Sequence, residues 1–469
     1  MATGFTSSST GNNVSGRLFA TGNNDAGQLG LGDNVDRNAF TAVGTDSDWV
    51  QVTTGEGIGL NSGFTIARKS NGTLWATGYN GNGELGIGST ISKNLFTQIG
   101  TDTDWATVCA GYQAAIAVKT NGTLWAWGSN ALYKLGLPTT GTYTSPTQIG
   151  SDTDWLKVWT YSNRSFAIKT DGTLWSVGRN EFGDFGDGTY TNKTTWSKIG
   201  TATDWKNIKS SFGGTFAQKT NGYLYAAGWN IQGRLGIGEN VPVLCNVTSS
   251  SSVTNEFTCD STANLAIYNP PSSIYGSYIA FGGTTFGGVT GNETQYIVKA
   301  ITSNTTFTVS TTAGGNTLAL TTATGNMTVK PIYLNTFTAV TPNYDWQEYN
   351  VNQNGVWALD PSYTQYGTTS TDVYDIPAAG SIAGYGMRNA NTVNTARSIL
   401  LGRNGQSVQI RTDKRAYVYG LNTQGCLDNG VPVYTSGPLS FTTPTVVSGF
   451  NNVTRLQDQS NDFTTFLIL

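Results

Sequence analysis

The chain has 469 residues, 29 acidic against 26 basic side chains and no histidine. That balance gives no basic face for a polyanion, and it removes Ser-His-Asp and Cys-His nucleophile systems, histidine zinc sites and a histidine general base. Charged residues make up only 12% while glycines number 59 and aromatics 12%, which is the balance of a turn-rich β protein with enough apolar material for a core.

In chain order, residues 1–15 hold no basic cluster and no apolar run, so they read as an arm before the first folded unit and not as a signal peptide. From Gly16 onward one unit recurs. Its Asp-Trp pair falls at Trp49, Trp105, Trp155, Trp205 and Trp346. The spacing is a period of about 50 residues, with an insertion of roughly 90 in the last interval, and such a period marks a propeller or array.

Each unit predicts four short strands. The Trp opens an apolar stretch such as Trp155–Trp159, and a second strand such as Phe166–Lys169 follows. Next comes Asn71-Gly72, Asn121-Gly122, Asp171-Gly172 or Asn221-Gly222, read as a two-residue type I′ hairpin turn with φ > 0 at both positions. The third strand is Thr73-Leu-Trp-Ala and its copies; a glycine-rich corner then leads to a fourth, such as Pro146–Ile149. Alanine recurs in the second strand at Ala67, Ala117, Ala167 and Ala217, as suits strands crowding toward a shared axis. The Leu-x-x-x-Gly-x-Asn strand begins at Leu18, Leu74, Leu124, Leu174, Leu224 and, degenerately, Tyr417, which gives six units. The chain enters mid-unit at Gly16–Phe19 and leaves with Phe463–Leu469, the strand that precedes that point in other copies. The expectation is therefore an all-β, six-bladed β-propeller closed by pairing of its N- and C-terminal strands.

Residues 16–245 hold the first part of the propeller and 337–469 the closing blades. Residues 246–336 interrupt the repeat, and short strands at Tyr278–Phe281, Gln295–Lys299, Thr306–Val309, Thr317–Leu320 and Met327–Val329 predict a small inserted β-domain. Residues 355–398 read as a long loop carrying Tyr363, Tyr366, Tyr374 and Tyr385.

The runs Asn80-Gly-Asn-Gly-Glu-Leu-Gly86, Asn230-Ile-Gln-Gly-Arg-Leu-Gly236 and Lys119–Gly128 resemble the regulator-of-chromosome-condensation repeat family, usually seen as seven-bladed propellers. The resemblance covers residues 16–245 and roughly 337–469. It implies the fold; the family hosts exchange factors, inhibitors and uncharacterised modules, so it fixes no activity. Within the insertion, Ile279–Phe286, Tyr296–Ile301, Asn304–Val309 and Leu320–Gly325 are similar to small β-modules of bacteriophage tail-fibre and other structural proteins, cyanophages included.

Four features could carry chemistry. Gly81, Gly83 and Gly86 fit a dinucleotide glycine pattern but open no helix, which favours a blade corner. The pairs Asp46/Asp48, Asp102/Asp104 and Asp152/Asp154 group oxygens for calcium, or act as Asx-turns whose carboxylates take backbone N–H bonds. Glu181, Asp184 and Asp187 lie on a short corner read as solvent-facing, where two acids could serve glycoside cleavage. Cys245 and Cys259 could meet across the base of the insertion, or stay separate buried thiols like Cys109 and Cys426.

No cofactor, metal site or catalytic residue is assigned, and a membrane span is not expected because no 18-residue apolar stretch exists. Insertion aromatics Tyr275, Tyr278, Phe286, Tyr363 and Tyr366 are the candidate interaction residues, since such rings offer an apolar body and, in Tyr, a polar edge. The functional expectation is a non-enzymatic virion protein of a tailed phage, peripheral to tail, neck or baseplate. It would bind other virion proteins and a host surface glycan or receptor as part of a multi-chain assembly, without nucleic acid. The alternative is an extracellular or cell-surface glycan-binding propeller.

Overall fold

The computed structural model describes residues 15–56, 62–211, 214–230, 235–237, 243–267, 277–290, 296–312 and 315–340, then the backbone of strands between Glu348 and Ile468. Among the described residues, seven four-stranded antiparallel sheets form the blades. From the inside outward, blade two is Trp49–Glu56, Gly63–Lys69, Leu74–Gly78 and Lys93–Gln98. Blades three and four repeat that order from Trp105–Gly111 and Trp155–Tyr161. The innermost strands meet in a circuit: Trp49–Glu56 touches Trp105–Gly111, and so on through Trp155–Tyr161, Trp205–Ser210, Glu348–Asn352, Ala396–Leu401 and Arg455–Gln459, which touches Trp49–Glu56 again.

The seam lies within blade one. Its two inner strands, Arg455–Gln459 and Thr464–Ile468, come from one end of the chain, and its outer two, Leu18–Gly22 and Arg37–Ala42, from the other. The register runs from Leu18 opposite Ile468 to Gly22 opposite Thr464. This pairing removes the free edges an open array would present.

The blade count differs from six. The extra sheet is Glu348–Asn352, Gly355–Leu359, Gln365–Gly367 and Arg388–Asn391, so three strands of a blade fall within the expected 355–398 loop. It escaped notice because it keeps the Asp-Trp pair at Trp346 but has neither a Lys-Thr-Asn-Gly turn nor a Leu-x-x-x-Gly-x-Asn strand.

Burial follows from stacking. Every residue of Trp49–Glu56 is buried, whereas the outer strand Lys93–Gln98 has none buried, because an inner strand is covered on both faces by neighbouring blades. The apolar clusters therefore lie between blades: Phe64, Ile66 and Leu74 of one pack with Trp105, Val108, Ala117 and Trp127 of the next. The recurring Ala67, Ala117, Ala167 and Ala217 are all fully buried there. Fully burying one such Leu, Ile or Phe stabilises by about 1.5–3 kcal/mol. Polar rungs add register: Gln51 Nε2 donates to Val108 O at 2.7 Å, and Tyr161 Oη to Ile208 O at 3.2 Å.

The hairpins are not type I′. Gly122 has φ +78°, but Asn121 keeps negative φ. Gly122 N donates to Lys119 O at 2.9 Å and Lys119 N to Thr123 O at 3.0 Å, which makes a three-residue loop: a type I turn followed by a left-handed glycine. Only glycine fits, since a Cβ on Gly122 would lie 2.0 Å from Thr153 O of the segment leading into the next blade. Gly122 O in turn accepts from Trp155 N at 3.1 Å, so each turn seats the next Trp.

The insertion is a closed six-stranded barrel in the order Cys245–Ser250, Phe257–Cys259, Thr306–Ser310, Tyr296–Ile301, Ser277–Gly283 and Ala323–Pro331. Its core includes Val247, Phe257, Phe281, Phe307 and Val329. Thr317–Leu320 forms no strand. The barrel sits between the third and fourth strands of blade five, Leu224–Trp229 and Tyr333–Ala339, so the chain rejoins that blade well before Asp345-Trp346.

Candidate functional site

One rim of blades two to five carries a clasp. Lys169 ends the second strand opposite Trp155. Its Nζ lies 2.6 Å from Asp152 Oδ2 and 3.0 Å from Asp154 Oδ1, and 4.5 and 4.6 Å from the ring centres of Trp155 and Trp175. Lys119 is held in the same way by Asp102, Asp104, Trp105 and Trp125, and Lys69 by Asp46, Asp48, Trp49 and Trp75. An ammonium thus stands where a calcium ion would sit, which replaces both the calcium and the Asx-turn expectations for these pairs. Burial works against the charge of Lys69, Lys119 and Lys169, but hydrogen bonds to their carboxylates outweigh it and raise each above the usual lysine range. In the fourth copy Ala202 replaces the first acid, and Lys219 keeps only Asp204, at 3.1 Å. Sequence reasoning passed over these lysines, although one precedes every Asn-Gly or Asp-Gly turn from Asn71 to Asn221.

The glycine-rich corners are braced by asparagine. Asn80 Oδ1 accepts from Leu85 N at 2.9 Å and its Nδ2 donates to Ser89 O at 2.9 Å; Asn130 and Asn180 repeat this. Gly83 N and Gly86 N donate to Asn80 O and Gly83 O, which makes the glycine run a corner with these two N–H groups committed.

One corner position carries Gln28, Glu84, Lys134 and Asp184 in successive blades, each at most 1% exposed. Burial raises the Glu84 carboxyl although it accepts from Asn82 N at 2.7 Å. Lys134 donates to Tyr112 O and Ser162 O, and burial pushes it down to about 7 despite the Glu84 charge. Asp184 pairs with Arg164 Nη1 at 3.1 Å, while Arg164 Nη2 donates to Ser211 O in blade five at 2.7 Å. The corner expected to face solvent therefore buries Asp184. Glu181 is taken by Arg179 at 2.5 Å and Asp187 by Lys193 at 3.2 Å, so each of the three acids has its own cation and no free pair for glycoside cleavage is formed.

Among the interaction candidates, Tyr278 is half-buried and meets Tyr333 edge-on at 5.9 Å, where the barrel joins blade five. Tyr333 also stacks on Phe182 at 5.4 Å and leans on Trp229 at 6.2 Å. Phe286 packs against the barrel core and covers Gly325, where a Cβ would lie 2.8 Å from its ring. Tyr366 belongs to the strand Gln365–Gly367; Tyr275 and Tyr363 lie outside the described residues. The sequence did not single out Phe182, Trp229 or Tyr333, because three distant segments supply them.

With the ring, its clasps and its seam in place, comparison with known proteins gives one direct answer. The regulator of chromosome condensation (RCC1) repeat matches residues 15–60, 105–133 and 121–159. Those three segments are similar to RCC1 repeats. The chain is an RCC1-like propeller in fold, similar to human WBSCR16 at 12% identity over 96% of this chain and 99% of that one, with TM-score 0.60. Prp20p of Saccharomyces cerevisiae, studied for its binding to Gsp1p and histones, is 13% identical over 97% and 92% of the two chains, with TM-score 0.61. Yeast RCC1 (Prp20) bound to Kap60 gives TM-score 0.62 at 13% identity, over 97% and 90%. At such identities the likeness concerns the fold. No curated protein matches the chain significantly.

Proposed function

We propose that this RCC1-like propeller is a non-enzymatic protein-interaction platform that presents its barrel to partners, as a virion component of a tailed phage peripheral to tail, neck or baseplate. The observation that carries the platform reading is the barrel itself: a separately cored module set between two strands of one blade of a closed ring. One propeller similar in fold, yeast Prp20, has been studied for binding Gsp1p and histones and crystallised with Kap60, which supports protein partners as a class. The virion setting is supported by the wording of Ile279–Phe286, Tyr296–Ile301 and Leu320–Gly325, similar to phage structural β-modules. Mass spectrometry of purified, cross-linked particles tests both parts. The account expects the chain in the particle with cross-links concentrated on residues 243–331; absence from particles overturns the setting, and cross-links confined to the blades overturn the barrel's role.

A second reading, glycan binding, is favoured by the cluster of Phe182, Trp229, Tyr278 and Tyr333, with Arg179 5.2 Å from the Phe182 ring. Rings of this kind stack on sugars. Glycan-array binding lost on Tyr278→Ala would establish it; a blank array removes it.

A further inference from the structure

We propose that Cys245 and Cys259 are a reversible dithiol–disulfide pair, oxidised by a hydroperoxide, that staples the first hairpin of the barrel at its root. Cys245 and Val247 share the buried face of Cys245–Ser250, and Cys259 lies directly opposite Val247. The two cysteines are therefore diagonal neighbours on one face. Their sulfurs and an Asp260 carboxylate oxygen lie within 4.8 Å of one another, and the cysteines are 3% and 4% exposed. Both thiols are free in this structure.

The surroundings divide the roles. A hydrogen bond with Cys245, helped by the N–H of Ser261, lowers Cys259 although burial and the Asp260 charge oppose it; the same contact, with burial, pushes Cys245 up. In the proposed reaction Cys259 attacks first and Cys245 resolves it. The Asp260 carboxylate is already occupied, accepting from Asn246 N at 3.0 Å, Asn246 Nδ2 at 2.7 Å and Ser261 N at 2.8 Å. This favours a sulfur–sulfur bond over a metal held by all three residues. In the reaction, Cys259 attacks one peroxide oxygen, the O–O bond breaks, and a sulfenic acid and water (or alcohol) leave that step. Cys245 then attacks the Cys259 sulfur, and the hydroxyl departs as water carrying the Cys245 proton. Two thiols lose two electrons and two protons, and the hydroperoxide gains them.

The test uses the full chain, treated with hydrogen peroxide, quenched, alkylated in denaturant and mapped by mass spectrometry. The expected result is a peptide linking Cys245 to Cys259 in most molecules, reversed by dithiothreitol, with Cys109 still alkylated. Oxidised protein should also resist proteolysis between residues 245 and 259 at least several-fold better than reduced protein. Cys245→Ser should leave a Cys259 sulfenic acid that a dimedone-type probe captures. If that variant does not fold, the wild-type map alone decides. Full alkylation of both cysteines after peroxide, over-oxidation of Cys259 without a link, or one zinc per chain shielding the thiols overturns the proposal.

Discussion

Replacing Lys169 by Met keeps an apolar stem and removes the ammonium, which isolates the clasp. The Lys169 side chain is 9% exposed, while Asp152 and Asp154 are 54% and 48% exposed. Water screens these pairs, so each contributes at most about 1 kcal/mol. Two cation–π contacts at 4.5 and 4.6 Å contribute about 0.5–1 kcal/mol apiece, and the expected loss is about 2–3 kcal/mol. Lys219 is the internal control. It has one carboxylate at 3.1 Å, rings at 5.2 and 5.3 Å, and 20% exposure, so Lys219→Met should cost about 1–1.5 kcal/mol. Ala202→Asp should restore the missing partner and stabilise by about 0.5 kcal/mol, an effect Lys219→Met abolishes. Urea unfolding of the five proteins (wild type, each lysine variant, Ala202→Asp and the double variant) measures all of this. Equal losses at Lys169 and Lys219, or a stabilisation by Ala202→Asp that survives without Lys219, would refute the reasoning.

The clasps also set an alkaline limit. Lys69, Lys119 and Lys169 titrate higher folded than unfolded, so their contribution is complete below the ordinary lysine pKa and disappears as pH climbs through the folded value; thermal midpoints should fall above about pH 10.5, less steeply in Lys169→Met. Lys134 has the opposite sign. It is lowered to about 7, so between there and the unfolded value the unfolded chain binds more protons and stability rises with pH; Lys134→Met should flatten that slope in midpoints measured across the interval. Asp184→Ala strands the Arg164 guanidinium, 4% exposed, and should cost about 3–5 kcal/mol by denaturant melting. Gly122→Ala meets both positive φ and a backbone oxygen 2.0 Å away; a loss under about 1 kcal/mol would mean the turn is not seated against the next blade.

The repeat was legible because it is written in residues with strong local meaning. Asp-Trp, Asn-Gly and Leu-Trp-Ala each fix a place in a blade, and the two half-units at the chain ends declared the seam between Leu18 and Ile468. Misreadings arose where partners are remote or a signal is missing. The turn at Asn121-Gly122 was assigned two positive φ values because the dipeptide alone does not report that Lys119 and Thr123 close the hairpin. The blade at Glu348–Asn391 keeps the Asp-Trp pair but neither of the other two motifs, so residues 355–398 carry no strand signal. Lys169 meets Asp152 across the sheet edge, which no local window reveals. Asp184, a charge among glycines, looked exposed; Arg164 from the second strand makes its burial possible.

A covalent lock across the seam probes whether the ring is shut by its own extremities. Phe19 and Leu467 are direct partners there, so Phe19→Cys with Leu467→Cys should cross-link on mild oxidation and raise stability by about 3–5 kcal/mol. A peptide map showing residue 19 joined to residue 467 in monomeric protein is the expected result. Persistent free thiols at both positions, or linkage only between separate molecules, would contradict the closed ring.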